Sequence, residues 1–184
     1  MRPDLDTYFM SMAVLVASRA TCPRRKVGSV LINTRGHVLA TGYNGVAAGQ
    51  AHCNEITEYA INPALRKEDG TYRVAEHWEK TEIPVYGNSC PGAGLPSGQG
   101  LDKCQALHGE QNALLQCRDV YQIDTAYVTA SPCITCTKLF LNTSCRRIVF
   151  LEEYPHSDAK DLWVASGRDW VQYTRKELLL VQPT

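Results

Sequence analysis

Four residues in this chain have the types and spacing to do chemistry together. His108 and Glu110 open the stretch "HGEQNALLQC", and Cys133 and Cys136 lie in "SPCITC". An imidazole and two thiolates can hold zinc. Three such ligands leave one tetrahedral position open, which marks a catalytic rather than a structural zinc. A zinc of that kind lowers the pKa of water towards neutrality and supplies hydroxide at physiological pH. Glu110 is then not a ligand. It stands beside the open position, takes the water proton, passes it to a ring nitrogen and later protonates departing ammonia. The chemistry expected is hydrolytic deamination of a ring carbon that bears an amino group. Each half of the pattern alone is weaker, since a histidine at a helix start is often only a cap or a core residue. Together, H-x-E at one helix start and P-C-x-x-C at the next, after a strand, are much more specific than either alone.

The elements must bring these four groups to one place. Residues two apart do not share a helix face. At a helix start, however, the Cβ atoms tilt towards the N-terminus, so both His108 and Glu110 can reach past the helix end. A strand over 125–129 precedes the second motif. Ser131 is expected to cap the following helix, with Pro132 in its first turn. Cys133 and Cys136 then share one face, at the end where the helix dipole favours thiolates. Around these motifs the pattern predicts a first amphipathic helix in "LDTYFMSMAVLVASRA". Strands follow over 27–32 and 37–41, joined by a turn at 33–36. A further strand is expected over 147–151, a helix over 158–167 and a strand over 170–174. Two strands followed by alternating helices and strands indicate an α/β sheet covered on both faces. Between about 54 and 104 the periodicity fails. That stretch is too long for an idle loop and reads as an insertion with a task.

Composition narrows the class. The chain has 184 residues, with 19 basic against 19 acidic side chains. The length favours one domain over 1–184. The charge balance argues against a protein that coats nucleic acid, and leaves room for a small anionic ligand in a local pocket. No apolar run is long enough to span a bilayer and the start lacks a secretory pattern, so a cytoplasmic protein with no membrane partner is expected. Eight cysteines in such a chain point to metal ligation or catalysis rather than a disulfide framework. Cys117 and Cys145, with no motif around them, read as small buried hydrophobes.

"HGEQNAL" with "SPCITC" resembles the cytidine deaminase superfamily. "CPRRKVGSVLIN", "GYNG" and "HC" narrow the resemblance to zinc-dependent deoxycytidylate (dCMP) deaminases. It covers roughly residues 5–55 and 104–175. The resemblance implies a three-layer α/β/α fold with a five-stranded mixed sheet. It implies hydrolysis of dCMP to dUMP and ammonia, feeding thymidylate synthesis. Members are commonly homohexamers, activated by dCTP and inhibited by dTTP, with Mg2+ accompanying the nucleotide effector. The compartment is the cytoplasm, or the host's cytoplasm for a phage-borne member. The resemblance assigns sugar and nucleotide contact to Asn44, base-carbonyl contact to the Gly109 N–H, and substrate contact to Tyr154. Arg24, Arg25 and Lys26 form a cationic cluster for the 5′-phosphate, with a solvated basic loop as the competing reading. For Tyr154 the competing reading is a simple surface or core tyrosine. Cys22, Cys53, Cys90 and Cys104, with His52 as substitute for Cys90, are the set for a second, structural zinc. The competing reading is ordinary thiols.

Two departures stand out. The family usually has Ala where this chain has Gly109, and the missing methyl suggests room for a 5-substituted cytosine. Regulated relatives carry an aromatic and an arginine where this chain has Gln116 and Asp119. An acidic group there would repel a triphosphate. Rival functions are deamination of another cytosine nucleotide, nucleoside or nucleic-acid base, and a non-catalytic zinc module. The last gives no reason for Glu110.

Overall fold

The computed structural model describes residues 2–50, 52–54, 104–154, 158–174 and 178. Most of the insertion, including Cys90, lies outside the described residues. Asp4 caps the first helix, α1 (Leu5–Ala17), by accepting from the Thr7 N–H at 2.8 Å. The hairpin of β1 (Gly28–Ile32) and β2 (Val38–Tyr43) turns through Asn33, whose side chain accepts from the N–H groups of Arg35 and His37. Gly36 takes the left-handed conformation there (φ 75°) that other residues avoid. The later elements are α2 (Gly109–Gln116), β5 (Thr125–Ala130), α3 (Ile134–Leu141), β6 (Arg147–Glu152), α4 (Asp158–Ala165) and β7 (Asp169–Gln172). A two-residue ribbon, β3 (Gly45–Val46) with β4 (Ala106–Leu107), completes them.

The main sheet has the order β2-β1-β5-β6-β7. β1 runs antiparallel to β2 and β5, whereas β5, β6 and β7 are parallel. The five-stranded mixed sheet expected from the resemblance is therefore present. Both faces are covered. α1 packs Phe9, Met10 and Ala13 against Val30, Ile32, Tyr127 and Val149 on one face. α2, α3 and α4 bring Ala113, Phe140 and Trp163 to Leu31, Val128, Ile148 and Phe150 on the other. β1 and β5 are accordingly buried along their whole length, and their runs lack polar alternation. β2, at the edge, alternates. The approach of α2 to β2 depends on Gly42, where a Cβ would overlap the Ala113 nitrogen and the Gly109 carbonyl. No helix among the described residues is long and apolar enough to cross a membrane.

Two expectations need correction. α3 begins at Ile134, with Cys133 as its N-cap, rather than at Pro132. Ser131 is not the cap. Its hydroxyl instead accepts from the Tyr154 N–H at 2.7 Å. A tertiary hydrogen bond has displaced the local capping rule. The β3–β4 ribbon was not foreseen, because two-residue strands are too short to leave a period. It pairs Gly45 with Leu107 and Val46 with Ala106, closing the base of the insertion directly before His108.

Candidate functional site

His108 and Cys133 occupy equivalent places, each the N-cap of a short helix on the same side of the sheet. The ribbon delivers His108 to the start of α2. The Gln111 side chain fixes it by accepting from the His108 N–H at 2.8 Å. β5 delivers Cys133 to the start of α3. His108 Nδ1 then lies 3.5 Å from Cys133 Sγ and 3.4 Å from Cys136 Sγ. All three donor atoms fall within 4.8 Å of one another, the one such group of three or more among the described residues.

This triangle fits zinc. Tetrahedral Zn–S and Zn–N bonds of about 2.3 and 2.0–2.1 Å place nitrogen and sulfur about 3.6 Å apart. The thiols show the same readiness. The Cys136 thiol donates to Cys133 Sγ, and with His108 and the Cys136 backbone N–H it holds Cys133 as a thiolate, with pKa lowered to about 4. That hydrogen bond and burial push Cys136 up. A divalent cation binding both sulfurs would displace the remaining thiol proton.

Glu110 is 4 % exposed. Burial raises its carboxyl pKa, partly offset by the charge of His108. The carboxyl group lines the same cleft as His108 and Cys133 without belonging to the three-ligand group. His108 is pushed up, first by its hydrogen bond to Cys133.

These groups floor a cleft at the carboxyl ends of β5 and β6. Asn44, Gly109, Arg24, Arg25 and Tyr154 all line it, and Lys26 does not. Lys26 is exposed. The Asn44 amide is a clamp: Oδ1 accepts from the Val27 N–H and Nδ2 donates to the Arg25 carbonyl, both at 2.8 Å. It therefore shapes the loop that presents Arg25 as well as facing the cleft. The Arg25 guanidinium lies 5.7 Å from the centre of the Tyr154 ring. Its Nη1 is buried with no hydrogen-bond partner, the Glu152 carboxylate being 3.9 Å away.

Gly109 opens no extra room. The methyl of an alanine would stand 3.0 Å from the Val27 carbonyl oxygen and 3.3 Å from that of Gly42. The space suggested for a 5-substituent is filled by backbone. Asp119, expected to repel an effector, caps the short 3-10 turn Val120–Gln122 by accepting from the Tyr121 N–H at 3.0 Å. Of the second zinc set, Cys22 and Cys104 line the same cleft and Cys53 is fully buried, while His52 is exposed. Among the described residues these do not form a three-ligand group. Ser131, read from the sequence only as a cap, lines the cleft, and Glu152, which no motif marks, stands 3.9 Å from Arg25 Nη1.

Comparison with known proteins places this geometry. The profile of the cytidine and deoxycytidylate deaminase zinc-binding region matches residues 3–152. A deoxycytidylate deaminase of Mycobacterium phage D29 is 35% identical over 153 residues, covering 83% of this chain and 98% of the phage protein. One from Schizosaccharomyces pombe is 33% identical over 180 residues, covering 96% of this chain and 46% of the yeast protein. The chain thus spans about half the length of that yeast relative. Among solved structures, the dCMP deaminase of cyanophage S-TIM5, crystallised with dCMP and dUMP, superposes with a TM-score of 0.61. It is 23% identical and covers 94% of this chain and 99% of its own, a likeness of fold.

Proposed function

The chain belongs to the cytidine and deoxycytidylate deaminase family, and from that premise we propose that it hydrolyses dCMP to dUMP and ammonia. The observation that carries the reading is Glu110, a buried carboxyl group held against a His108–Cys133–Cys136 triangle in a cleft that also presents Arg25. Zinc held by the triangle supplies a Lewis acid that activates water at neutral pH. Glu110 takes a proton from the attacking water and delivers it to N3 of the cytosine ring as oxygen bonds to C4. It then carries the remaining proton of that oxygen to the amino group. The C4–N bond breaks, ammonia leaves and the C4 carbonyl remains. Burial suits Glu110 to this work, because a raised pKa lets it hold the proton between the two transfers.

The substrate's phosphate is the counterpart of Arg25. A buried guanidinium nitrogen without an acceptor is costly, and an anionic oxygen satisfies it. Arg24 adds positive charge beside it, and Lys26 has no part. The expected preference for dCMP over deoxycytidine is about a hundredfold in kcat/KM, the scale of one well-placed charged hydrogen bond. Arg25→Ala removes that preference. Equal turnover of both substrates by the unaltered enzyme would contradict the assignment.

The reading extends to a second zinc held by Cys22, Cys53, Cys90 and Cys104. The burial of the Cys22 and Cys53 thiols is the observation that supports it, while Cys22, Cys53 and Cys104 stand further apart than the ligands of the first site. Elemental analysis should then find two zinc ions per chain. One would remove the second site.

A further inference from the structure

We propose that Ser131 is a positioning residue for nucleotide phosphate, joining the metal-ligand loop to the face that holds Arg25. The inference rests on the dCMP reading above. Ser131 follows the last residue of β5 and stands two positions before Cys133. It is 5 % exposed. Its N–H donates to the Glu152 carbonyl at 2.8 Å, and its hydroxyl accepts from the Tyr154 N–H at 2.7 Å. The two bonds continue the β5–β6 pairing beyond its final pair, Ala130 with Glu152.

Both residues gripped in this way face Arg25. The Tyr154 ring lies under the guanidinium at 5.7 Å, and the Glu152 carboxylate stands 3.9 Å from Nη1. At that distance Glu152 supplies field but no hydrogen bond, so the Nη1 N–H is left to donate to an incoming anion. Asn44 fixes the backbone of Arg25 by donating to its carbonyl. Ser131 and Asn44 thus hold the guanidinium's surroundings from two separate segments of the chain. The Ser131 brace also sets their position against Cys133, and so against the reacting carbon.

The alternative for a serine in this place is a helix cap, and the structure separates the two roles. α3 has no capping side-chain hydrogen bond, and Cys133 occupies the cap position. A cap would act on the metal-binding helix and on every substrate alike. A brace acts through Tyr154 and Glu152 and is felt only by ligands that reach Arg25.

The test compares Ser131→Ala and Ser131→Thr with the unaltered protein. It reads zinc content, kcat and KM for dCMP, and equilibrium binding of dUMP and deoxyuridine to the zinc-loaded protein. Ser131→Ala should raise KM for dCMP and weaken dUMP about tenfold, the scale of one lost hydrogen bond. Deoxyuridine binding, zinc content and kcat should stay within about twofold. Ser131→Thr keeps a hydroxyl and should recover most of the dUMP affinity. Loss of zinc, equal weakening of dUMP and deoxyuridine, or no change in Ser131→Ala would each overturn the proposal while leaving the dCMP reading intact. An unaltered protein that binds dUMP no better than deoxyuridine would overturn the phosphate reading and this inference with it.

Discussion

At the residue scale, the site depends on groups whose ionisation is set by one another. Cys133 is held as a thiolate at about 4 by the thiol of Cys136, the imidazole of His108 and a backbone N–H. Cys136 keeps the proton because its hydrogen bond to Cys133 and its burial both oppose a second negative charge there. A cation resolves that conflict by taking both sulfurs. Cys136→Ala should therefore leave a two-donor site that does not retain zinc through dialysis, with activity lost in parallel. A variant that keeps a full complement of zinc would contradict the ligand assignment. His108, Glu110, Cys133 and Cys136 could be read from the sequence because ligand chemistry restricts the residue types and the helix starts restrict the spacing. Ser131 could not. Its capping signal is local, whereas its partner is 23 positions away and contributes only a backbone N–H. Gly109 was misread for a similar reason. A missing side chain does not say whether ligand or backbone fills the space.

At the element scale, short helices are fixed to the sheet at a few points. α1 is latched by Asp6, whose carboxylate takes a two-pronged pair of hydrogen bonds from Arg147 at 2.8 Å each and a third from the Tyr127 hydroxyl at 2.7 Å. The Arg147 hydrogen bonds lower the Asp6 pKa below its ordinary 3.8, against the opposing effect of burial. A depressed carboxylate pKa adds stability above the unfolded-state value and loses it as pH falls through the folded-state value. Asp6→Asn should therefore cost about 1–2 kcal/mol near neutrality, reduced by partial exposure of the pair. In thermal or urea melts, the gap between the two proteins should hold down to about pH 4 and close below it. A gap that widens on acidification would contradict the latch. The main elements were legible because each shows a clear period or an unbroken apolar run. The β3–β4 ribbon and the start of α3 were not, since both are set by contacts distant in sequence.

At the scale of the whole molecule, the fold brings the two helix starts to the carboxyl ends of β5 and β6, with the β1–β2 hairpin closing the cleft through Val27 and Asn44. This is the general placement of ligand sites in sheets with parallel strands. Balanced charge over the chain, with 19 basic and 19 acidic residues, fits a site that concentrates positive charge locally at Arg24 and Arg25. Fold class followed from the alternation of strands and helices. Strand order and the pairing across the insertion's base required the three-dimensional structure. The central claim is that Glu110 moves protons beside a zinc it does not bind. The most direct test measures ammonia release from dCMP by the unaltered enzyme and by Glu110→Gln, with zinc determined in both. The account predicts a fall in kcat of about a thousandfold in the variant, within the usual range for a general acid–base, with zinc content unchanged. Substantial activity in Glu110→Gln, or loss of its zinc, would contradict the role assigned to Glu110.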